Sequence, residues 1–240
     1  MSAFPLMPLV PPTPKLTTLT LIGTSTSILN GTISMPTGLL PGDWALMIDA
    51  VYDSTAQVSI TPSGFVSLYT HGDGSWMRAY RVSHRLILSA AESGAAITSS
   101  TGYTWHSDED SSWTEPDGTT RKIILVFRGN VPIGSMSYIP GASTGSNGNP
   151  GTISTTPATG GLPCIVWGVA STFNHAAVVF ESIGALTAPP FGAELAINSL
   201  RVGYTLYPRG AVPPTQSADM VDFGSSNLIS IAAMSFEGVS

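Results

Sequence analysis

Short runs of alternating apolar and small or hydroxyl-bearing residues, each closed within a few positions by glycine or proline, constrain this chain more than any other feature. The run LTTLTLIG at Leu16–Gly23 repeats with a period of two, the spacing of a half-buried strand and not of a helix. Gly42–Tyr52 follows a Pro41–Gly42 turn signal and also reads as a strand. So do Val58–Thr61, Phe65–Thr70, Trp76–Ser83, Arg121–Gly129, Cys164–Ser171, Ala176–Ser182, Leu200–Tyr207 and Leu228–Phe236. The 25 glycines and 19 prolines forbid long helices. The one helix-compatible stretch, Leu86–Ser93, is too short to be stable alone. So many short strands with frequent turns predict an all-β fold, an antiparallel β-sandwich.

Composition removes several function classes. Charged residues make up only 10% of the 240, and the net charge is −6 with nine Lys and Arg, so the chain lacks the electrostatic footprint needed to grip nucleic acid. The longest apolar runs, Ile123–Phe127 and Cys164–Val169, fall far short of the roughly 18–20 residues of a spanning helix, and no membrane insertion is expected. With 42% hydrophobic residues, a chain of this length can bury a core without disulfides or metal. The single cysteine, Cys164, sits in an apolar run and reads as a small buried hydrophobe.

Residues 1–15 form a proline-punctuated, extended arm that also carries Phe4, Leu6, Met7, Leu9 and Val10. A solvated linker would be polar, so these apolar residues are candidate assembly contacts against the chain's own body or a neighbouring subunit. The same prolines and the lack of a basic n-region speak against a secretion signal. Residues 16–240 read as one β domain. Within it the order GDWALMIDA, WMRAYRVS, RKIILVFRG is echoed by LPCIVWGVA, LRVGYTLY, LISIAAMSFEG, dividing the chain into similar halves at about 16–135 and 136–240. The echo fits either duplicated subdomains or equivalent core strands of one sandwich. The second is favoured, because each half has few strands with which to close two sheets. Two long connections, 98–120 and 140–162, are rich in turn formers, and loops of that length are usually functional or mobile.

The order of motifs resembles a family of jelly-roll-like β-sandwich domains found in structural proteins of tailed bacteriophages and gene-transfer agents, and in some bacterial surface proteins. The residues that carry the resemblance are Gly42–Asp43 opening a hydrophobic strand, ITPSGFVSL at Ile60–Leu68, the aromatic-basic strand Trp76–Val82, and Phe127–Arg128–Gly129 with Pro132 shortly after. Phe65 stands where that family favours tryptophan. The resemblance implies a jelly-roll-like topology and a non-enzymatic virion part: a capsid decoration, head spike or fibre, or tail component, assembled in the host cytoplasm. It also implies partners among other virion proteins and further copies of the chain itself.

Candidate sites are sparse. The acidic run Asp108, Glu109, Asp110, with Glu115 and Asp117, lacks the D-x-D-x-D-G spacing of a calcium loop and reads as a solvated loop tip. His71, His84, His106 and His175 are dispersed, with no zinc-type spacing, and no nucleophile elbow or phosphate-cradling loop occurs. No enzyme, metal site or cofactor is expected. The binding candidate is the first long loop, where Tyr103, Trp105, His106, Asp108 and Trp113 combine aromatic faces with polar partners suited to a host surface glycan. The competing role for those tryptophans is loop anchoring or subunit packing, which is favoured.

Overall fold

The structure, a computed structural model, describes residues 15–27, 32–52, 64–73, 78–98, 120–145, 161–171, 180–182, 195–197, 200–211, 219–220 and 227–239. Its strands are β1 (Leu19–Ser27), β2 (Thr32–Ser34), β3 (Trp44–Tyr52), β4 (Val66–Asp73), β5 (Arg78–Leu86), β6 (Ala96–Thr98) and β7 (Thr120–Gly129), followed by β8 (Ile133–Gly145), β9 (Leu162–Ser171), β10 (Phe180–Ser182), β11 (Leu195–Ile197), β12 (Leu200–Leu206), β13 (Asp219–Met220) and β14 (Asn227–Gly238). Two five-stranded sheets dominate, ordered β1-β7-β3-β5-β4 and β11-β12-β9-β14-β8, with two short pairs, β2-β6 and β10-β13. Every pairing among the described residues is antiparallel. The chain is all-β, with no α-helix among the described residues.

The alternation of β3 explains how the first sheet is used. Trp44, Leu46 and Ile48 point to one face, where they join Val82, Ile123, Leu125 and Phe127 in a cluster that also holds Ile133, Leu162, Val202, Met234 and Phe236 from the second sheet. The two large sheets therefore share one core. Ala45 and Met47 point the other way, into a second cluster with Ile33, Met35, Leu39, Phe65, Ile87, Ile97, Ile124 and Val126. The β2-β6 pair and residues 35–40 cover that outer face. Burial on both faces is why Ile123–Phe127 is an unbroken apolar run, since a sheet wetted on one side would alternate.

Aromatic packing closes the shared core. Phe127 on β7 meets Phe236 on β14 with ring centroids 6.0 Å apart and meets Tyr204 on β12 edge-on at 5.5 Å. Trp44 packs edge-on against Phe236 at 6.2 Å.

Several expectations change. Leu86–Ser93 is not a helix: Leu86 ends β5, and the rest is a turn holding a 3-10 segment at Ala90–Glu92. There Ser89 Oγ accepts from Ala91 N, and Glu92 Oε1 accepts from Leu88 N and Ser89 N, a capping box that satisfies the turn without a continuing helix. Residues 140–145, expected to be loop, are the end of β8. Its Gly, Ser and Pro content hides a strand that pairs with β14 along nearly its whole length, and Pro140 is tolerated because β8 is an edge. Val58–Thr61 and the arm residues Phe4, Leu6, Met7, Leu9 and Val10 lie outside the described residues.

Glycines at positive φ give a graded test of packing. Gly38 has φ +77 with open space around a would-be Cβ, whereas Gly42 has φ +90 and a Cβ there would lie 2.5 Å from Pro132 Cβ. Gly38→Ala should cost about 1 kcal/mol from backbone strain alone. Gly42→Ala should cost at least about 2 kcal/mol, because backbone strain and overpacking add. Urea unfolding of the two variants checks the difference.

Candidate functional site

Two of the sequence motifs, Gly42–Asp43 and Phe127–Arg128–Gly129, meet at one end of the first sheet. Asp43 immediately precedes β3, and Arg128 lies near the end of the neighbouring β7. Arg128 Nε donates to Asp43 Oδ1 and its Nη2 to Asp43 Oδ2, both at 2.7 Å, a two-pronged pair. Asp43 Oδ2 also accepts from Leu40 N at 2.7 Å, and Arg128 Nη2 donates to the Gly38 carbonyl at 2.8 Å. The Asp43 side chain is 2% exposed and that of Arg128 32%. Donating to the Asp43 carboxylate holds the Arg128 guanidinium above its ordinary pKa. Pro132 packs on Gly42, and Ile133 N donates to the Gly42 carbonyl. The cluster ties the turn before β3 to the link between β7 and β8.

A second ion pair holds the end of the other sheet. Arg209, just beyond β12, pairs with Glu237 on β14 at 3.0 Å and donates to the Leu16 carbonyl at 2.9 Å. Asn130 completes this region: its Oδ1 accepts from Thr17 N and Thr18 N, and its Nδ2 donates to the Lys15 carbonyl. Nearby polar groups thus bind strand ends to one another.

His84 lies on the seam of the shared core. Its ring stacks on Trp44 at 5.0 Å with the planes 1° apart, and neither Trp44 Nε1 nor His84 Nδ1 has a hydrogen-bond partner. Burial pushes the His84 pKa below its ordinary value of 6.5. Desolvation disfavours the imidazolium here.

Buried charge is concentrated on the opposite face of the first sheet. Arg81 on β5 and Lys122 on β7 are both buried, and each is in register with Asp49 on β3.

The glycan-binding candidates Tyr103, Trp105, His106, Asp108 and Trp113 lie outside the described residues. Among the residues that are described, no grouping of three or more His, Cys, Asp or Glu could hold a metal ion. Asp43 and Arg128 stand in the resemblance motifs without an assigned role, and the structure supplies it. Arg209 and Glu237 carried no sequence signal beyond the F-x-G ending of β14.

Comparison with known proteins returns nothing. No family model, curated protein or solved structure matches the chain.

Two predictions follow from the geometry. Asp43→Asn leaves Arg128 facing a neutral amide and should lower unfolding free energy by about 2 kcal/mol, below the 3–5 kcal/mol of fully buried pairs because Arg128 reaches solvent. Arg209→Gln should cost about 1 kcal/mol or less, its carboxylate partner being well exposed. For His84, the folded state favours the neutral ring. Its contribution is complete above pH 6.5 and is lost as pH falls below that value toward the lowered folded pKa. Melting temperature measured from pH 7.5 to 5.5 should therefore fall more in the wild type than in His84→Gln.

Proposed function

We propose that this chain is a non-enzymatic structural protein of a tailed phage or related particle, built as a β-sandwich and acting through subunit contacts. The observation that carries the reading is the use made of the motif residues. Gly42, Asp43, Arg128 and Pro132, on which the resemblance rests, all serve to close one end of a two-sheet core. Such residues hold a part rigid for assembly and leave the chemistry of the surface to its partners. The low charge content agrees with surfaces committed to packing.

The sandwich reading is supported by the core cluster common to both large sheets. The strand order gives the jelly-roll part no support, because the chain completes one sheet before it begins the other. Self-association is supported by the edges: among the described residues β1, β4, β8 and β11 lie at the sides of the two large sheets, and Val66 on β4 is exposed. Edges of this kind need partners, and symmetric copies are the commonest ones. On this reading the protein resides in the virion after assembly in the host cytoplasm, with no nucleic acid or cofactor of its own.

Light scattering of the purified full chain at micromolar concentration should give a defined homo-oligomer. A stable monomer that also fails to join any particle would contradict the proposal. A second reading, a carbohydrate-binding adhesin, rests on the sequence of the Trp105–Trp113 loop. It expects binding on a glycan array that Trp105→Ala and Trp113→Ala abolish, whereas a blank array removes it.

A further inference from the structure

We propose that residues 15–132 and 133–239 are two copies of one five-stranded unit, related by an approximate twofold axis between the sheets, and that the apolar face of each copy is the docking surface for the other. This inference does not depend on the virion reading.

Strand order is the first support. The first sheet takes its strands from β1, β3, β4, β5 and β7, and the second from β8, β9, β11, β12 and β14. Numbered within each set, both sheets run first, fifth, second, fourth, third. Each interior neighbour is antiparallel in both. This order is not a sequential meander, and each copy needs crossover connections to reach it. Two independent arrivals at the same order in one chain would be a coincidence.

Register and local detail agree. Trp44, the first residue of β3, pairs with Phe127, and Leu162, the first residue of β9, pairs with Phe236. Both phenylalanines stand two residues before a glycine, in Phe127–Arg128–Gly129 and Phe236–Glu237–Gly238. Leu19 opens β1 opposite Gly129, and Ile133 opens β8 opposite Gly238. Soon after, each first strand carries one extra residue: Ile22 between Leu21 and Gly23, and Gly134 between Ile133 and Ser135. The residue after each glycine donates its N–H to the residue before each first strand: Asn130 N to the Thr18 carbonyl at 3.3 Å, and Val239 N to the Pro132 carbonyl at 3.1 Å.

The axis itself leaves a trace. A residue close to a twofold axis touches its own mate, and Phe127 touches Phe236. The path of the chain closes on itself in the same way. The end of the first copy leads within three residues to the start of the second, and a Cβ on Gly238 would lie 3.4 Å from Leu16 N, at the start of the first.

The copies have diverged where the two-sheet core does not constrain them. The position held by Arg128 in one is held by Glu237 in the other, and each has found a partner of opposite charge from a different strand end. Asp49, Arg81 and Lys122 correspond by register to Trp167, Gly203 and Ile231.

An experimentally determined structure of the full chain tests the proposal. Superposing the first sheet on the second should need a near-twofold rotation that exchanges Phe127 with Phe236 and Arg128 with Glu237. Sheets of different strand order, or a rotation that does not exchange those residues, would overturn it. A circular permutant starting at Val131, running through Ser240 into Met1 and ending at Asn130, should keep the amide spectrum of the natural chain away from the new junctions. Failure of that permutant to fold would count against exchangeable copies, and the structure of the natural chain decides independently.

Discussion

The contact of Phe127 with Phe236 and the apolar cluster around it hold the rest of the molecule in place. Neither large sheet is a stable object alone, because each presents a face of leucine, isoleucine, valine, methionine and aromatic side chains that water would oppose. Burying one such side chain contributes about 1.5–3 kcal/mol, so a cluster drawn from both sheets outweighs any single ion pair on the surface. The first sheet has a further demand, since its other face is apolar as well. The β2-β6 pair and the turn at 35–40 answer it.

Polar groups act at the margins of that core. Asp43 with Arg128 and Arg209 with Glu237 are placed where strands end and backbone groups would otherwise go unsatisfied. They join strand ends to the turns beside them through the Leu40 N–H and the Gly38 and Leu16 carbonyls. A part designed for assembly needs such fixed ends, because its neighbours read the positions of its loops and edges. This links the fold to the proposed role: two layers on one core, with β1, β4, β8 and β11 at the sheet sides among the described residues, and a low content of charged residues.

Much of the fold was legible in the sequence because strand periodicity is a local property. The run Arg121–Gly129 announced a strand, whereas the covering of both its faces depends on elements distant in the chain. Gly42–Asp43 and Phe127–Arg128–Gly129 were legible as motifs, but their meeting depends on β3 lying beside β7, a pairing across a long stretch of chain that no local pattern encodes. β8 escaped notice because Gly141, Gly145 and Pro140 are turn residues by composition, and it is a strand through its pairing with β14. The stack of His84 on Trp44 had no signal, since both rings face the core from different strands. The echo between the halves was visible in the sequence, yet its meaning needed the order of strands. Tyr103, Trp105, His106, Asp108 and Trp113 remain a reading of the sequence.

If the two sheets share one core, they must open together. Amide hydrogen exchange of the full chain under native conditions measures this directly. The slowest amides of β3 and β7 should share one opening free energy with those of β9 and β14, and that value should match global unfolding. Exchange of β9 and β14 at a clearly lower free energy than β3 and β7, or the reverse, would show that the sheets are separate units and would contradict the account.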